Sequence, residues 1–289
     1  MTGNSPPRST RVRAEVLSQW PAQAMQALLD RDPAGIGEGD PLPLGWHWLY
    51  FKRPVRASGL GPDGHERRGA FMPEIDLPRR MWAGGTLRSL RPARIGARAE
   101  LRSGIREVEE KRGKSGRLVF VTVGHTLLQD GHACVEEKQV IVYREAGLRR
   151  ATSRASAPTP ASAATPAPAA LPGTSPAATW TETFLPTPVT LFQFSALTCN
   201  GHRIHYDQPY ATGQEGYRGL LVHGPLTALL LLDAARRHCE AAVTSFRYRA
   251  LAPLFVDEPI TLVGRPDSEG EVVEALDPAG SVAMRGRVG

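Results

Sequence analysis

Residues 191–207 read LFQFSALTCNGHRIHYD, and residues 217–226 read YRGLLVHGPL. The first segment gathers an amide, imidazoles and a carboxylate within a few positions. The second segment leads directly into the most apolar stretch of the chain. Proton-carrying side chains placed just before a buried helix indicate an active site at the amino terminus of that helix. We therefore take these two segments as the centre around which the rest of the chain is organised.

The stretch LLVHGPLTALLLLDAARRH at 220–238 predicts a buried helix. Gly224 and Pro225 suit its start, because proline fits a first turn in which backbone N–H groups have no partner. The stretch is apolar on nearly all sides up to Leu232, which predicts burial rather than an amphipathic surface helix. The basic residues 236–238 fit the carboxyl end of the helix dipole. Four strand-like segments follow, at 245–251, 259–265, 271–276 and 281–287.

The first half predicts a helix at about 13–30, kinked or divided by Pro21. An aromatic cluster follows at 44–51, and it fits either core packing or one wall of a ligand pocket. Strands come next. The sequence predicts a hairpin formed by residues 105–111 and 116–123, followed by a strand at 137–144. The first half thus ends, like the second, in antiparallel strands.

These parallels favour two diverged copies of one fold. In this alignment Met81–Gly85 occupies the place of Val222–Pro225. The predicted fold class is α+β, with two antiparallel sheets that each wrap around a central helix. Residues 151–178 are almost wholly Ala, Pro, Ser and Thr, which predicts an exposed linker that cannot bury a core. The predicted units are therefore a first half at 1–150 and a second half at 179–289.

Composition narrows the function classes. The chain has 289 residues and a net charge of +6, with much of the positive charge on arginines of the first half. No apolar run reaches the roughly 20 residues of a membrane helix, and the amino terminus lacks the apolar core of a signal peptide. Three scattered cysteines indicate neither a disulfide framework nor a zinc site, so a cytoplasmic location is expected. The basic surface suits nucleic acid or a small polyanion, but no nucleic-acid-binding motif accompanies it.

Residues 195–207, together with Tyr210 and residues 219–225, resemble the hydratase motif of MaoC-like, hot-dog-fold enoyl-thioester hydratases. The first half adds weaker matches in the same order, which are Trp46–Trp48, Asp63–His65, Pro78–Gly85, Lys114–Gly116 and Val140–Arg144. The resemblance points to the double-hot-dog branch, which includes type 2 hydroxyacyl-thioester dehydratases and hydratases of mesaconyl-C4-CoA or itaconyl-CoA. It implies a first half that has lost the catalytic motif and forms the pocket wall for the acyl chain.

The resemblance also implies an acid/base pair five residues apart, commonly Asp followed by His. Asn200 and His205 hold these places, and Asn200 is a departure because an amide cannot take a proton from water. His205 is then expected to carry the proton, with Asn200 orienting the water or capping a turn. Gly224 is expected to donate its backbone N–H to the thioester oxygen. Asp207 either orients His205 or faces solvent.

Further residues are expected to bind the substrate. Arg203 is assigned to the acyl carboxylate, and Arg247 and Arg249 to coenzyme A phosphates, unless these two only form a polar face of the sheet. The remaining assignments to the substrate pocket are Tyr206, His223, Trp46 and His47. His202 and His223 also fit structural or supporting roles.

The expected function is hydration of an enoyl-CoA, with a branched C5 dicarboxylic group such as mesaconyl-C4-CoA or itaconyl-CoA favoured. Neither a metal nor a cofactor is expected, because coenzyme A belongs to the substrate. No nucleic-acid or membrane partner is expected, and the arrangement permits a homodimer without requiring one. Two alternatives stay open: a 3-hydroxyacyl dehydratase acting on acyl-carrier-protein thioesters, and a non-catalytic thioester-binding protein.

Overall fold

The computed structural model describes residues 10–69, 71–113, 116–145 and 178–289. The predicted linker at 151–178 lies outside these residues except for its last position, and the predicted domain boundaries stay a prediction. In the described ranges no helix is both long enough and apolar enough to cross a membrane.

From residue 10, where the described part of the first half starts, the chain forms a strand before it forms the predicted helix. The regular elements of the first half are β1 (Thr10–Val16), α1 (Gln19–Leu28), β2 (Arg79–Ser89), β3 (Arg98–Gly113), β4 (Gly116–Gln129) and β5 (His132–Arg144). The prediction of a helix from residue 13 was wrong, because side chains of β1 alternate between exposed and half-buried positions with the period of a strand. Pro21 lies in the first turn of α1, where it breaks no hydrogen bond, so it does not kink the helix.

The second half agrees with the predicted buried helix and four strands. Its elements are β6 (Trp180–Phe184), α2 (Pro188–Thr198), α3 (Gly224–His238), β7 (Ser245–Ala250), β8 (Ile260–Asp267), β9 (Gly270–Leu276) and β10 (Val282–Val288). The helix α2 was not predicted. It starts at a capping box in which Thr187 and Thr190 each bond the backbone N–H of the other.

The strands form one antiparallel sheet of ten, in the order β1-β3-β4-β5-β2-β7-β10-β9-β8-β6. Both halves repeat the same strand order, and they join where β2 pairs with β7. The prediction of two separate sheets is corrected accordingly. Met81–Gly85 lies within β2 and does not begin a helix. Gly84 and Gly85 are required at this join, because a Cβ on either would meet backbone oxygen atoms at 2.4 Å or closer.

Only the second half has a long central helix among the described residues. α3 packs against β7–β10, and its residues from Leu226 to Ala235 are buried. The corresponding part of the first half, between α1 and β2, contains only the short 3-10 turns Pro33–Gly35, Trp46–Leu49 and Ala57–Gly59. The prediction of a central helix in each half is therefore corrected. The concave side of the first half keeps room for a cavity.

Candidate active site

His205 is held in one protonation form by its surroundings. It ends the 3-10 turn Arg203–His205, and its ring is buried. The Nδ1 atom lies 2.8 Å from the carbonyl oxygen of Leu221. Because a carbonyl only accepts, Nδ1 carries the proton and Nε2 keeps a free lone pair. Burial lowers the pKa of His205 to about 3, so the imidazole is neutral near pH 7 and able to accept a proton.

His223 lies directly against His205. The two rings stack with centroids 3.6 Å apart and planes 19° from parallel. The Nε2 atom of His223 lies 2.8 Å from Ser195 Oγ, while its buried Nδ1 atom has no hydrogen-bond partner. Burial, and then the neighbouring His205, lower the pKa of His223 well below its usual value. A neutral ring stacked in this way fixes the orientation of the His205 imidazole.

A loop of the first half covers the other side of the motif. The ring of His202 lies 5.5 Å from that of His205 and 4.3 Å from that of His65, between centroids. The loop lies close to the motif at Gly64. The φ of this glycine is +86°, which favours glycine, and a Cβ there would collide with the Gly201 carbonyl. Arg203 N–H donates to the Asp63 carbonyl at 3.0 Å and fixes this contact. The first-half loop therefore forms part of the site.

Asp63, His65 and His202 present ligand atoms within 4.8 Å of one another. This is a set of donors that a divalent metal uses. The guanidinium of Arg80 lies 3.9 Å from the Asp63 carboxylate and places a positive charge beside the group. Burial, and then Arg80, lower the pKa of His65 to about 2. The expectation that the site holds no metal stays a prediction.

Asn200 presents its amide nitrogen to the cavity. Its Oδ1 atom accepts a hydrogen bond from the backbone N–H of His202 at 3.1 Å, and this bond closes a turn. Capping a turn was one of the two roles predicted for Asn200. Because the His202 N–H requires an oxygen opposite it, the NH₂ group is the side that remains for a ligand. Asn200 can therefore donate to the oxygen of a water molecule, and it does not accept the proton.

Gly224 is the first residue of α3, so its backbone N–H has no carbonyl within the helix to bond. A Cβ at this position would lie 3.1 Å from Trp82 Cε3. The indole of Trp82 thus packs across the start of the helix. Trp82 in turn makes edge contacts with Trp48, 4.9 Å between ring centroids. A thioester that reaches Gly224 passes beside these two indoles.

A cavity of about 350 Å³ lies in the concave side of the first half. Asn200 and Pro225 line it from the second half. The end of α2 adds Phe194, Thr198 and the following Cys199, and the remaining walls come from β1–β5, the 3-10 turn Trp46–Leu49, the segment after that turn and Glu66. A second cavity of about 300 Å³ shares several of its lining residues, including Arg13, Glu66 and His125. The missing central helix of the first half therefore leaves a pocket that reaches Asn200 and Pro225, whereas His205 and Gly224 lie near these residues in the chain but do not line the cavity.

The aromatic cluster at 44–51 divides between core and pocket. Trp46 is 1% exposed and belongs to the hydrophobic core, whereas His47 and Trp48 line the cavity. Both bond the buried carboxylate of Glu137, His47 Nε2 at 2.8 Å and Trp48 Nε1 at 3.0 Å. Burial opposes the charge on Glu137, but neighbouring His125 and these two hydrogen bonds hold the pKa of the carboxylate below its usual value.

Sequence reasoning missed several cavity residues. These are Glu137, His125, Lys52, Arg13 and Trp82, whereas Trp48 belongs to the aromatic cluster for which a pocket wall was one prediction. Among the missed residues, Glu137 could most readily have been found from the sequence. A glutamate within a strand that also carries buried positions needs a hydrogen-bonding or charged partner. The others carried no such signal.

Arg203 is held by neighbours within the motif. Its Nε and Nη2 atoms lie 2.9 and 2.7 Å from Asp207 Oδ2, and its guanidinium stacks over the Tyr210 ring. Asp207 also accepts the Tyr210 N–H at 3.0 Å, so it supports the loop, and Leu221 rather than Asp207 orients His205. Tyr206 is 53% exposed and donates its hydroxyl to the Gly201 carbonyl at 3.1 Å. Substrate binding by Arg203 and Tyr206 stays a prediction.

Arg247 and Arg249 project from β7 on the exposed face of the sheet. Phe246 and Tyr248 alternate with them and are buried on the opposite face. The predicted alternation is therefore confirmed, but the two arginines lie on the other side of the sheet from Tyr248 and Trp82. Their assignment to coenzyme A phosphates stays a prediction.

Comparison with known proteins agrees with this geometry. The family described as hydroxyacyl-thioester dehydratase type 2 matches residues 45–256. A mesaconyl-C(4)-CoA hydratase of Chloroflexus aurantiacus is 45% identical over 269 residues, which cover 92% of this chain and 91% of that protein. The structure of a MaoC-like dehydratase from Phytophthora capsici superposes with a TM-score of 0.69 at 17% identity, covering 99% of this chain and 95% of that one.

A Mycobacterium tuberculosis protein with a double hot-dog fold superposes with a TM-score of 0.57 at 16% identity. The matched region covers 99% of this chain and 96% of that protein. The predicted α+β double hot-dog fold is thereby confirmed, with the corrections to its sheet and to its first-half helix given above.

Proposed function

Because the chain belongs to the hydroxyacyl-thioester dehydratase type 2 family and is thus a hydro-lyase of acyl thioesters, we propose that it hydrates a short dicarboxylic enoyl-CoA. The favoured substrate is mesaconyl-C4-CoA, after which the relative from Chloroflexus aurantiacus is named. One observation carries this choice of substrate: the cavity that reaches Asn200 and Pro225 places the cations Arg13 and Lys52 among aromatic and aliphatic residues. A hydrocarbon chain leaves such cations without a partner, whereas a carboxylate pairs with them.

In the proposed reaction, Asn200 donates its NH₂ group to the oxygen of a water molecule. The lone pair on His205 Nε2 takes a proton from that water as its oxygen bonds to the β-carbon of the enoyl group. The electron pair of the double bond moves to the thioester oxygen, which Gly224 N–H stabilises at the positive end of α3. His205 then returns the proton to the α-carbon, so the product is the 3-hydroxyacyl thioester and the enzyme is unchanged.

The test compares thioesters that differ in acyl group and in carrier. The wild-type protein is assayed for kcat/KM with mesaconyl-C4-CoA, itaconyl-CoA, crotonyl-CoA, trans-2-decenoyl-CoA and trans-2-decenoyl acyl carrier protein, with product identification by mass spectrometry. We expect mesaconyl-C4-CoA to exceed crotonyl-CoA by about 100-fold or more, because a site built for a polar group rejects the analogue that lacks it.

Two results would overturn the proposal in different ways. The highest kcat/KM on decenoyl acyl carrier protein would assign the chain to carrier-protein thioesters of fatty-acid synthesis. Binding of CoA thioesters without turnover of any of them would indicate a thioester-binding protein instead.

The proposal includes further parts that rest on the same chemistry. Hydration of a conjugated thioester adds water with the help of proton transfer and needs no oxidant or reductant, so no redox cofactor is required. We propose that the site also works without a metal. Arg247 and Arg249 are proposed to bind the phosphates of coenzyme A, Arg203 to border the acyl carboxylate, and Tyr206, His223 and His47 to border the rest of the substrate. A cytoplasmic location and a homodimer complete the proposal.

A further inference from the structure

We propose that Lys52, supported by Arg13, binds the free carboxylate of the acyl group and thereby sets the substrate class. This inference rests on the proposed function, since it concerns the acyl end of the same cavity. Lys52 and Arg13 lie outside the motif that carries the family resemblance. We assign them this role because both line the cavity and because neither has a carboxylate partner among the described residues.

Lys52 offers a positive charge to the cavity. Its Nζ atom donates to the Trp48 carbonyl, which uses one of the three protons of an ammonium group. In the described part of the chain, no carboxylate lies within ion-pair distance of Lys52. Burial lowers the pKa of Lys52 to about 8, so the ammonium form predominates near pH 7 in surroundings that strengthen its attraction for an anion.

Arg13 adds a second charge from β1. Its Nη1 atom donates to the Phe51 carbonyl at 2.6 Å, which places the guanidinium beside the residue that precedes Lys52. Across the described ranges Arg13, too, lies beyond ion-pair distance of every carboxylate. A guanidinium and an ammonium that share one cavity wall match the two oxygens of a carboxylate.

The other charges around the cavity are already compensated. Glu137 accepts hydrogen bonds from His47 and Trp48, and Arg53 is paired with Glu66. Glu15 accepts the Phe51 N–H at 2.9 Å and acts on Lys52 only through the electrostatic field. Glu137 likewise acts on Lys52 only through the electrostatic field, so among the described residues Lys52 and Arg13 are the lysine and arginine side chains of this cavity without an ion-pair partner.

Lys52 is also close to the reacting end. Cys199, the neighbour of Asn200 in the chain, and Asn200 itself line the same cavity as Lys52. In mesaconyl-C4-CoA the free carboxylate is attached to the carbon that receives the hydroxyl group. An anion-binding group must therefore lie near the residue that holds the water, and Lys52 meets this requirement.

The experiment separates carboxylate binding from catalysis. Calorimetric titration measures Kd for succinyl-CoA and butyryl-CoA, which have acyl chains of four carbons, lack the double bond and differ in the terminal carboxylate. We expect the wild-type protein to bind succinyl-CoA about 30-fold more tightly or better. The Lys52→Met variant should lose most of this preference, while its affinity for butyryl-CoA changes by less than about 3-fold. The Lys52→Arg variant, which keeps the charge, should retain part of the preference.

The matched control is Arg56→Met, which removes an exposed positive charge from the same segment but not from the cavity lining. It should bind both thioesters like the wild-type protein. Equal affinities of the wild-type protein for succinyl-CoA and butyryl-CoA would overturn the inference, even if Lys52→Met did not fold. Equal losses for both ligands in Lys52→Met would also overturn it. Failure of the proposed hydration appears separately, as retained succinyl-CoA preference without turnover of mesaconyl-C4-CoA.

Discussion

The Leu221 carbonyl decides which nitrogen of His205 carries a proton. This single contact leaves the free lone pair on Nε2, where it can accept a proton, and burial keeps the imidazole neutral. The same logic explains why an amide is tolerated at Asn200. Its oxygen is occupied by His202 N–H, so a donating NH₂ group remains for the water and His205 alone moves the proton.

Replacing His205 tests this assignment at the level of one residue. We expect His205→Ala to lower kcat for mesaconyl-C4-CoA by about 10³-fold, the usual loss when a general base is removed. In the wild-type protein, kcat/KM should stay level from about pH 7 to about pH 5, since the pKa of His205 is about 3 and Lys52, with a pKa of about 8, stays charged over this range. His132→Ala, at an exposed position of β5, is the matched control and should keep full activity. A kcat within tenfold of wild type in His205→Ala would contradict the assignment.

At the scale of elements, the carboxyl end of α3 joins the two halves. Asp233 is 4% exposed, and its carboxylate bonds Arg31 Nη1 at 2.7 Å and Arg237 Nη1 at 3.0 Å, with Arg236 Nη2 at 3.4 Å. Arg31 follows α1 of the first half, so this cluster fixes α1 relative to α3. Arg236 and Arg237 therefore serve a buried partner as well as the helix dipole, whereas His238 pairs with Glu182.

We expect Asp233→Asn to lower the free energy of unfolding by about 3 kcal/mol or more, because it leaves three guanidinium groups near one neutral amide. Chemical denaturation measures the change. Glu182→Gln is the matched control, since Glu182 pairs with Arg237 and His238 at a more exposed position. That change should cost about 1 kcal/mol or less. Equal losses in the two variants would show that the buried cluster contributes no more than a surface pair.

At the scale of the whole molecule, the histidines between the two halves make stability depend on pH. The pKa is about 2 for His65, about 4 for His202 and about 3 for His205, and burial is the main cause each time. These values lie below the unfolded value of about 6.5, so the unfolded chain binds more protons in acid. Stability is complete above pH 6.5 and falls as the pH decreases from there toward the folded-state values.

We expect the melting temperature to decrease between pH 7.5 and pH 5. Each of these histidines contributes up to about 1.4 kcal/mol per pH unit below the unfolded pKa. Differential scanning calorimetry of wild type and His205→Gln measures the effect, and the variant should show a shallower decrease. His132→Gln, exposed in the native protein, should follow the wild-type curve. A variant curve parallel to wild type for His205→Gln would rule out this source of acid sensitivity.

The sequence by itself determined α3 and the strands of the second half, though not α2. The continuous apolar run of α3, the proline in its first turn and the alternation in β7 are local patterns, and local patterns suffice for a buried helix and its sheet. The motif around Asn200 and His205 likewise carried its own resemblance. The end of β1, from residue 13 to residue 16, was mistaken for part of a helix because a short run of mixed polarity satisfies both periods, and pairing with β3 decided the outcome.

Only the tertiary structure decided the pocket. No local pattern shows that a helix is missing between α1 and β2, or that β2 joins β7 to make one sheet. Lys52, Arg13 and Glu137 come from three separate segments, and their common cavity exists because the first half leaves its concave side unfilled. A residue's charge is written in the sequence, but whether that charge has a partner depends on contacts between distant parts of the chain, and those contacts form only when the two halves pack together.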